Sequence, residues 1–161
     1  MSFTEIAIVA LYEESLAEAE RRLSSLVVAE GRRPSARGLN GWVFEQTIRY
    51  CLSQELTAVG LYPSVQEQVP LSGRARIDML VGKVAIELKV RGSFGAGDSK
   101  YNDYRVAVEK RGWVYFYLSL QESHAPYRQS TECTFGANRA FFLDTQGDWT
   151  RFLDAVIANH V

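Results

Sequence analysis

The sequence predicts an α/β protein built on a mixed sheet, and three observations carry that prediction. Apolar residues recur at helical spacing in two long N-terminal stretches. Three strand-like runs follow between Val65 and Val90. A further helix then leads into an aromatic strand, WVYFYLSL. The coarse order is α, α, β, β, β, α, β, β, α, which places the chain among the layered α/β folds.

Glu13 to Glu30 reads as an amphipathic helix with Leu16, Ala19, Leu23, Leu26 and Val27 inward, and Ile6 to Leu11 either extends it or forms a strand. The Gly/Pro/Arg-rich GRRPSARGLNG then marks a loop. Asn40 is the expected N-cap of a second helix, Gly41 to Val59, with Phe44, Ile48, Leu52, Leu56 and Val59 on one side. Val65 to Leu71 is the first strand, and ARIDMLVGKVAIELKV supplies the next two. GSFGAGDSK reads as a loop, Tyr101 to Lys110 as a helix ending at Arg111-Gly112, and Gln121 to Asn138 as long, polar and irregular. AFFLD is a short strand. Trp149 to Asn159 closes the chain as a helix, with Thr145 and Asp148 resembling a capping box.

At 161 residues, 47% hydrophobic and 23% charged, the chain suits one domain, 1–161, with a real core. Cys51 and Cys133 make neither a disulfide framework nor a zinc site, and are expected as buried thiols in a reducing cytoplasm. No basic leader followed by a long apolar run is present, and no apolar run nears the ~20 residues of a membrane span. Net charge is −1, but unevenly spread: 31–111 holds 13 Lys/Arg against 8 Asp/Glu, and the flanks 5 against 11. A basic middle permits an anionic partner without demanding one. His124 and His160 are not grouped with Ser or Cys as a nucleophilic set requires, and read as surface residues. Trp42, Trp113 and Trp149 read as core.

The hairpin raises a chemical question. Gly82-Lys83 suits a type II′ turn, which pairs Val81 with Val84 and Met79 with Ile86. One face then holds Ala75, Ile77, Met79 and Val81 against Val84, Ile86, Leu88 and Val90, all apolar. The other sets Asp78 opposite Glu87 and Arg76 opposite Lys89, and like charges across a ladder cost up to ~1 kcal/mol. Either a divalent cation sits between the carboxylates, or diagonal pairs Arg76–Glu87 and Asp78–Lys89 form a salt-bridge lattice on a solvated face. Glu45 adds a third acid, falling inside the apolar stripe of its helix, where it needs a partner. Glu55 falls near the same stripe and is expected in water near the helix end.

Asp78 together with Glu87-Leu88-Lys89 resembles the signature of the PD-(D/E)xK nuclease superfamily. That family has the restriction-endonuclease-like fold, an α-β-β-β-α-β core that 41–120 follows here. The residue before Asp78 is Ile77 rather than proline. By this resemblance Asp78, Glu87 and the Leu88 carbonyl ligate Mg²⁺ or Mn²⁺, with Glu45 from the preceding helix holding the metal directly or through water. Lys89 orients the attacking water. The implied activity is DNA endonuclease, in restriction, repair or recombination, in a cytoplasmic homodimer. Arg37, Arg74, Arg76, Arg91, Lys100, Tyr101 and Tyr104 are candidates for gripping the DNA, with Arg32 and Arg33 beside them. The alternative is an inactive domain of the same fold that binds nucleic acid or serves in assembly.

Overall fold

A computed structural model describes residues 2–30, 38–91, 100–121 and 125–161. Among the described residues, five helices flank one five-stranded sheet. In chain order they are α1 (Glu5–Glu30), α2 (Leu39–Ala58), β1 (Val65–Ser72), β2 (Ala75–Val81), β3 (Val84–Arg91), α3 (Lys100–Lys110), β4 (Val114–Gln121), α4 (Ala125–Phe135), β5 (Ala140–Phe142) and α5 (Asp148–Asn159). The strands lie in sequence order. β1, β2 and β3 pair antiparallel, whereas β3–β4 and β4–β5 are parallel, so the sheet is mixed.

Both faces of the sheet are covered. On one, Ile8 and Tyr12 of α1, Phe44, Ile48 and Leu52 of α2 and Trp149 and Phe152 of α5 pack on Met79, Val81, Ile86, Leu88, Phe116 and Leu118. On the other, Tyr101 and Val108 of α3 and Phe135 of α4 pack on Leu80, Ala85, Tyr115, Tyr117 and Phe142. The alternation of β4 explains this, because its even and odd side chains each meet a helical layer.

α1 begins earlier than the sequence alone decides. Thr4 Oγ1 accepts the Ala7 N–H at 3.2 Å, and Ile6 to Leu11 joins the helix. Leu16, Ala19 and Leu23 are half-buried there; nothing is described of the side chains of Leu26 and Val27. The cap of α2 lies two residues before the expected one. Gly38, at φ +94°, occupies the cap position, and Asn40 uses Oδ1 on the Gly41 N–H at 2.9 Å. Val59 leaves the stripe and is exposed. Trp42 is exposed too, on a groove between α1 and α2 shared with Tyr50; it sits outside the arc of Phe44 and Ile48.

The polar segment 121–138, expected as irregular, contains α4. Pro126 lies in its first turn, where a missing N–H costs nothing. Gly136, at φ +112°, ends it with its N–H on the Glu132 carbonyl at 2.7 Å. Only Thr131 and Phe135 are fully buried among its described side chains, too few for a readable apolar stripe. Arg128 bridges to the Phe142 ring and to Asp144.

The capping box expected at α5 does not form. Gly147 takes the cap position, and Asp148 instead accepts the Phe142 N–H at 2.9 Å and Arg151 at 2.6 Å. The Trp149 N–H is met by Glu5 Oε1 of α1 at 2.9 Å. Glu55, expected in water, is buried. It accepts hydrogen bonds from Ser2 Oγ (2.7 Å), the Phe3 N–H (2.5 Å) and Trp149 Nε1 (3.4 Å), tying α2 to α5 and to the segment before α1. Cys51 is buried, its thiol pushed up to about 12 by desolvation and then by Glu55; Cys133, also expected inside, is exposed. His160 is half-buried, and its backbone carbonyl accepts the Lys83 N–H at 3.0 Å. His124 lies outside the described residues.

That contact makes Gly82 essential to the hairpin. Gly82 sits at φ +57°, and a Cβ built there would lie 2.0 Å from the His160 carbonyl oxygen. Gly82→Ala is expected to lose about 1–3 kcal/mol of stability, from backbone strain and from displacement of the C-terminal turn. The denaturant midpoint checks it, and an unchanged midpoint would mean that the C-terminus is not seated there.

Candidate active site

The expected hairpin register is present beside the turn, with Val81↔Val84, Leu80↔Ala85 and Met79↔Ile86. It goes no further. At the next position the Leu88 N–H donates to Asp78 Oδ2 at 2.8 Å, so a carboxylate replaces the strand as acceptor. Asp78 and Glu87 therefore do not face each other across a paired ladder, and Arg76 does not oppose Lys89. Arg76 turns away and donates to the Gln68 carbonyl at 3.0 Å. The predicted single apolar face is split at the same place. Met79 and Val81 join the α1/α2/α5 core, whereas Ala75 and Ile77 pack with Leu71, Val69 and the α3 layer.

The break has a partner in β1. The β1–β2 register runs Glu67↔Met79 and Val69↔Ile77, which puts Gln68 across from Asp78 with no bridge between them. Gln68 has φ +50° and is the one non-glycine residue with positive φ among the described residues. Such a backbone costs of order 1–3 kcal/mol in an ordinary residue. Its amide Nε2 reaches Glu45 Oε1 at 3.2 Å and Oε2 at 3.3 Å. Gln46 and Arg49 of α2 both go to Glu67, at 2.7 and 3.0 Å, and not to Glu45.

Glu87, on β3, is 6% exposed and accepts the Tyr115 hydroxyl at 3.1 Å through Oε2. Its Oε1 is 3.9 Å from Lys89 Nζ, beyond hydrogen-bond contact. Lys89 Nζ also lies 5.4 Å from the Tyr101 ring centre, and Lys100 Nζ lies 5.1 Å from the same ring. Two ammonium groups thus share one aromatic ring beside the carboxylates. In the parallel register Lys89 is next to Ser119, whose buried Oγ has no hydrogen-bond partner.

The three acids feel one another. Burial pushes the Glu87 carboxyl up to about 8, and the Asp78 charge adds to the rise. Burial pushes Glu45 up to about 7, with Asp78 and Glu67 adding and Gln68 opposing. Asp78 is also raised, by desolvation, against the pull of the Leu88 N–H and the Lys89 charge. Desolvation disfavours an ionised carboxyl, and a like charge nearby compounds it. The Arg76–Glu87 diagonal of the lattice considered from sequence is replaced, since Arg76 donates to a backbone carbonyl, while the Lys89 charge acts on both Asp78 and Glu87. Among the described residues, no three His, Cys, Asp or Glu side chains lie close enough together to form a ready metal cage.

Of the expected DNA-gripping residues, Lys100 and Tyr101 lie beside the carboxylates and the other described ones are spread. Arg74, in the β1–β2 turn, and Arg76 are exposed. Arg91, exposed at the end of β3, is felt by Tyr12 of α1. Lys100 is exposed at the start of α3. Tyr101 is 1% exposed, so its ring cannot stack on a base; it packs on Tyr104 (5.8 Å) and Phe135 (5.8 Å) instead. Tyr104 is half-buried. Arg32, Arg33 and Arg37 lie outside the described residues. Gln68 and Tyr115 touch the acids, yet sequence patterning marks neither. Tyr115 reads as one more aromatic of a buried strand, and glutamine carries no preference for positive φ.

Compared with known proteins, the chain matches no family model, no curated protein and no solved structure. No helix among the described residues is long and apolar enough to cross a membrane. What the comparisons leave standing is the chain's architecture: an α/β protein with a five-stranded mixed sheet between helical layers.

Proposed function

We propose that the chain is a metal-dependent DNA endonuclease of the PD-(D/E)xK kind, with a restriction-endonuclease-like core. The observation that carries this reading is the opening of the β2–β3 ladder at Asp78, beside a buried Glu87 and with Lys89 Nζ 3.9 Å from it. A purely structural sheet has no reason to bury two adjacent-strand carboxylates where their charges oppose each other.

The donor set suits a hard divalent ion. It is all oxygen, and Lys89 Nζ, 3.9 Å from Glu87 Oε1, pairs with it without a hydrogen bond. Asp78 and Glu87 would hold Mg²⁺ or Mn²⁺, Glu45 directly or through water, and the Leu88 carbonyl would add an oxygen. When bound, such an ion lowers the pKa of coordinated water and neutralises phosphoryl oxygens. The protein's own part is positioning and charge. Lys89 orients the attacking water and stabilises the charge developing on phosphorus. Lys100, over the same tyrosine ring, meets a neighbouring phosphate. Arg74 and Arg76 are exposed in and beside the β1–β2 turn, where the DNA backbone would pass. Cutting both strands takes two such sites, which a two-fold homodimer supplies. Free thiols at Cys51 and Cys133 accord with a cytoplasmic enzyme.

A second reading, a domain that binds nucleic acid without cutting it, is favoured by one observation: no ready three-ligand cage exists among the described residues. Linear, supercoiled, single-stranded and four-way-junction DNAs, each with Mg²⁺, Mn²⁺ or EDTA, separate the two. The nuclease reading expects metal-dependent nicking or cutting, lost in Glu87→Ala and Lys89→Ala with folding intact. Cleavage that survives both changes removes this site from the reaction. Tight binding without hydrolysis, and no heat of Mn²⁺ binding, establishes the second reading.

A further inference from the structure

We infer that Gln68 is a positioning residue of the site, its carboxamide joining Glu45 of α2 to Asp78 of β2. Three observations converge on it. Gln68 stands across from Asp78 in the β1–β2 register, at the position where the ladder is interrupted. Its amide contacts both Glu45 oxygens, at 3.2 and 3.3 Å, and from across the ladder it favours the ionised form of Asp78. Its backbone holds φ +50°, which an unbranched polar residue adopts only when its surroundings impose it. The side chain is exposed, so burial does not impose it.

A structural explanation for that backbone would favour glycine, or asparagine, either of which tolerates positive φ. Glutamine has no such tolerance, but its reach is what the geometry uses. α2 and β2 are separate elements, and Glu45 is not otherwise tied to the hairpin: Gln46 and Arg49, its neighbours on the helix, grip Glu67. An amide group carries two N–H donors, enough for one carboxylate on each side. Gln68 thereby fixes the Glu45–Asp78 spacing that a shared cation needs, and it does so at a cost in backbone strain, as residues at functional sites often do.

The inference rests on the nuclease reading for its metal arm and on backbone conformation for its stability arm. Its test uses the full chain with Gln68→Gly and Gln68→Asn, measured by thermal melting and by Mn²⁺ titration calorimetry, with Glu87→Ala as control. Both Gln68 variants are expected to melt no lower than wild type and up to about 4 °C higher, because strain is relieved. Both are expected to bind Mn²⁺ about 10–100-fold more weakly, as when a ligand's supporting hydrogen bond is lost. The kcat for DNA cleavage should fall while the DNA dissociation constant in EDTA stays unchanged. Variants that melt well below wild type would make Gln68 a structural residue and overturn the inference. Wild-type Mn²⁺ affinity in both variants, with Glu87→Ala losing it, overturns the inference alone. A wild-type protein that binds no Mn²⁺ overturns the inference and the nuclease reading together.

Discussion

Glu87→Gln is expected to stabilise the metal-free protein at pH 9 and to change little at pH 5. In the native state the Glu87 carboxyl is pushed up to about 8, first by burial and then by the Asp78 charge, against an ordinary value of 4.5. Between those limits the folded protein holds a proton that the unfolded chain has released. The unfolded state then binds fewer protons, so stability falls as pH rises through the window. Below pH 4.5 both states are protonated and the group contributes nothing. Above pH 8 the whole penalty applies, of order 5 kcal/mol for a group this buried. Glutamine has nearly the same shape, cannot ionise, and still offers an oxygen to the Tyr115 hydroxyl that now meets Oε2 at 3.1 Å. Melting curves at pH 5, 7 and 9 check this. Wild type should lose several degrees across the range that Glu87→Gln retains. If Glu87 holds a divalent ion, saturating Mg²⁺ should restore part of the loss in wild type and none in the variant. Parallel pH curves for the two proteins would show that Glu87 is already ionised and compensated in the folded state.

The parts of this fold that were legible were those written in local pattern. The Gly82-Lys83 turn fixes the β2–β3 register because only glycine takes φ +57° cheaply and side chains alternate strictly from there. The same alternation fails at Asp78, because the interruption comes from another strand: Gln68 takes a conformation that nothing in its own neighbourhood announces. Ile77 consequently packs with the α3 layer while Met79 packs with the other. α4 carried its start and stop signals, Pro126 and Gly136, but its core face is little more than Thr131 and Phe135, so hydrophobic periodicity was silent. Glu55 and the Glu5 contact with Trp149 are long-range pairings, between residues 94 and 144 positions apart, and no window of sequence contains both partners. Of the candidate site, Glu45, Asp78, Glu87 and Lys89 were readable as residue types at a spacing. Two groups that touch them, Gln68 and Tyr115, were not, since a glutamine in a polar strand and a tyrosine in an aromatic one look like their neighbours.

Asp78 does two jobs at once, and a pair of substitutions should separate them. Its Oδ2 accepts the Leu88 N–H at 2.8 Å, standing where a strand partner would be, and its charge acts on both Glu87 and Glu45. Asp78→Asn keeps an oxygen for Leu88 and removes the charge. Asp78→Ala removes both and leaves a buried backbone donor without its acceptor, which costs about 1–3 kcal/mol. Asp78→Asn is thus expected to fold at near wild-type stability, and at pH 9 to exceed it, since Glu87 loses its charged neighbour. Asp78→Ala should melt lower than Asp78→Asn at pH 6. Cleavage should respond differently, falling in both variants by about a thousandfold or more, the loss expected when several kcal/mol of charge stabilisation disappear from the transition state. Denaturant titrations give the first contrast and single-turnover DNA cleavage the second. Should Asp78→Asn cut DNA at the wild-type rate, Asp78 is an acceptor that shapes the hairpin and takes no part in the chemistry. Should Asp78→Asn unfold as readily as Asp78→Ala, the Leu88 bond is not what holds β2 and β3 together beyond Met79. The two outcomes together distinguish a carboxylate kept for its charge from one kept for its shape, at a position where β2 and β3 give up their pairing.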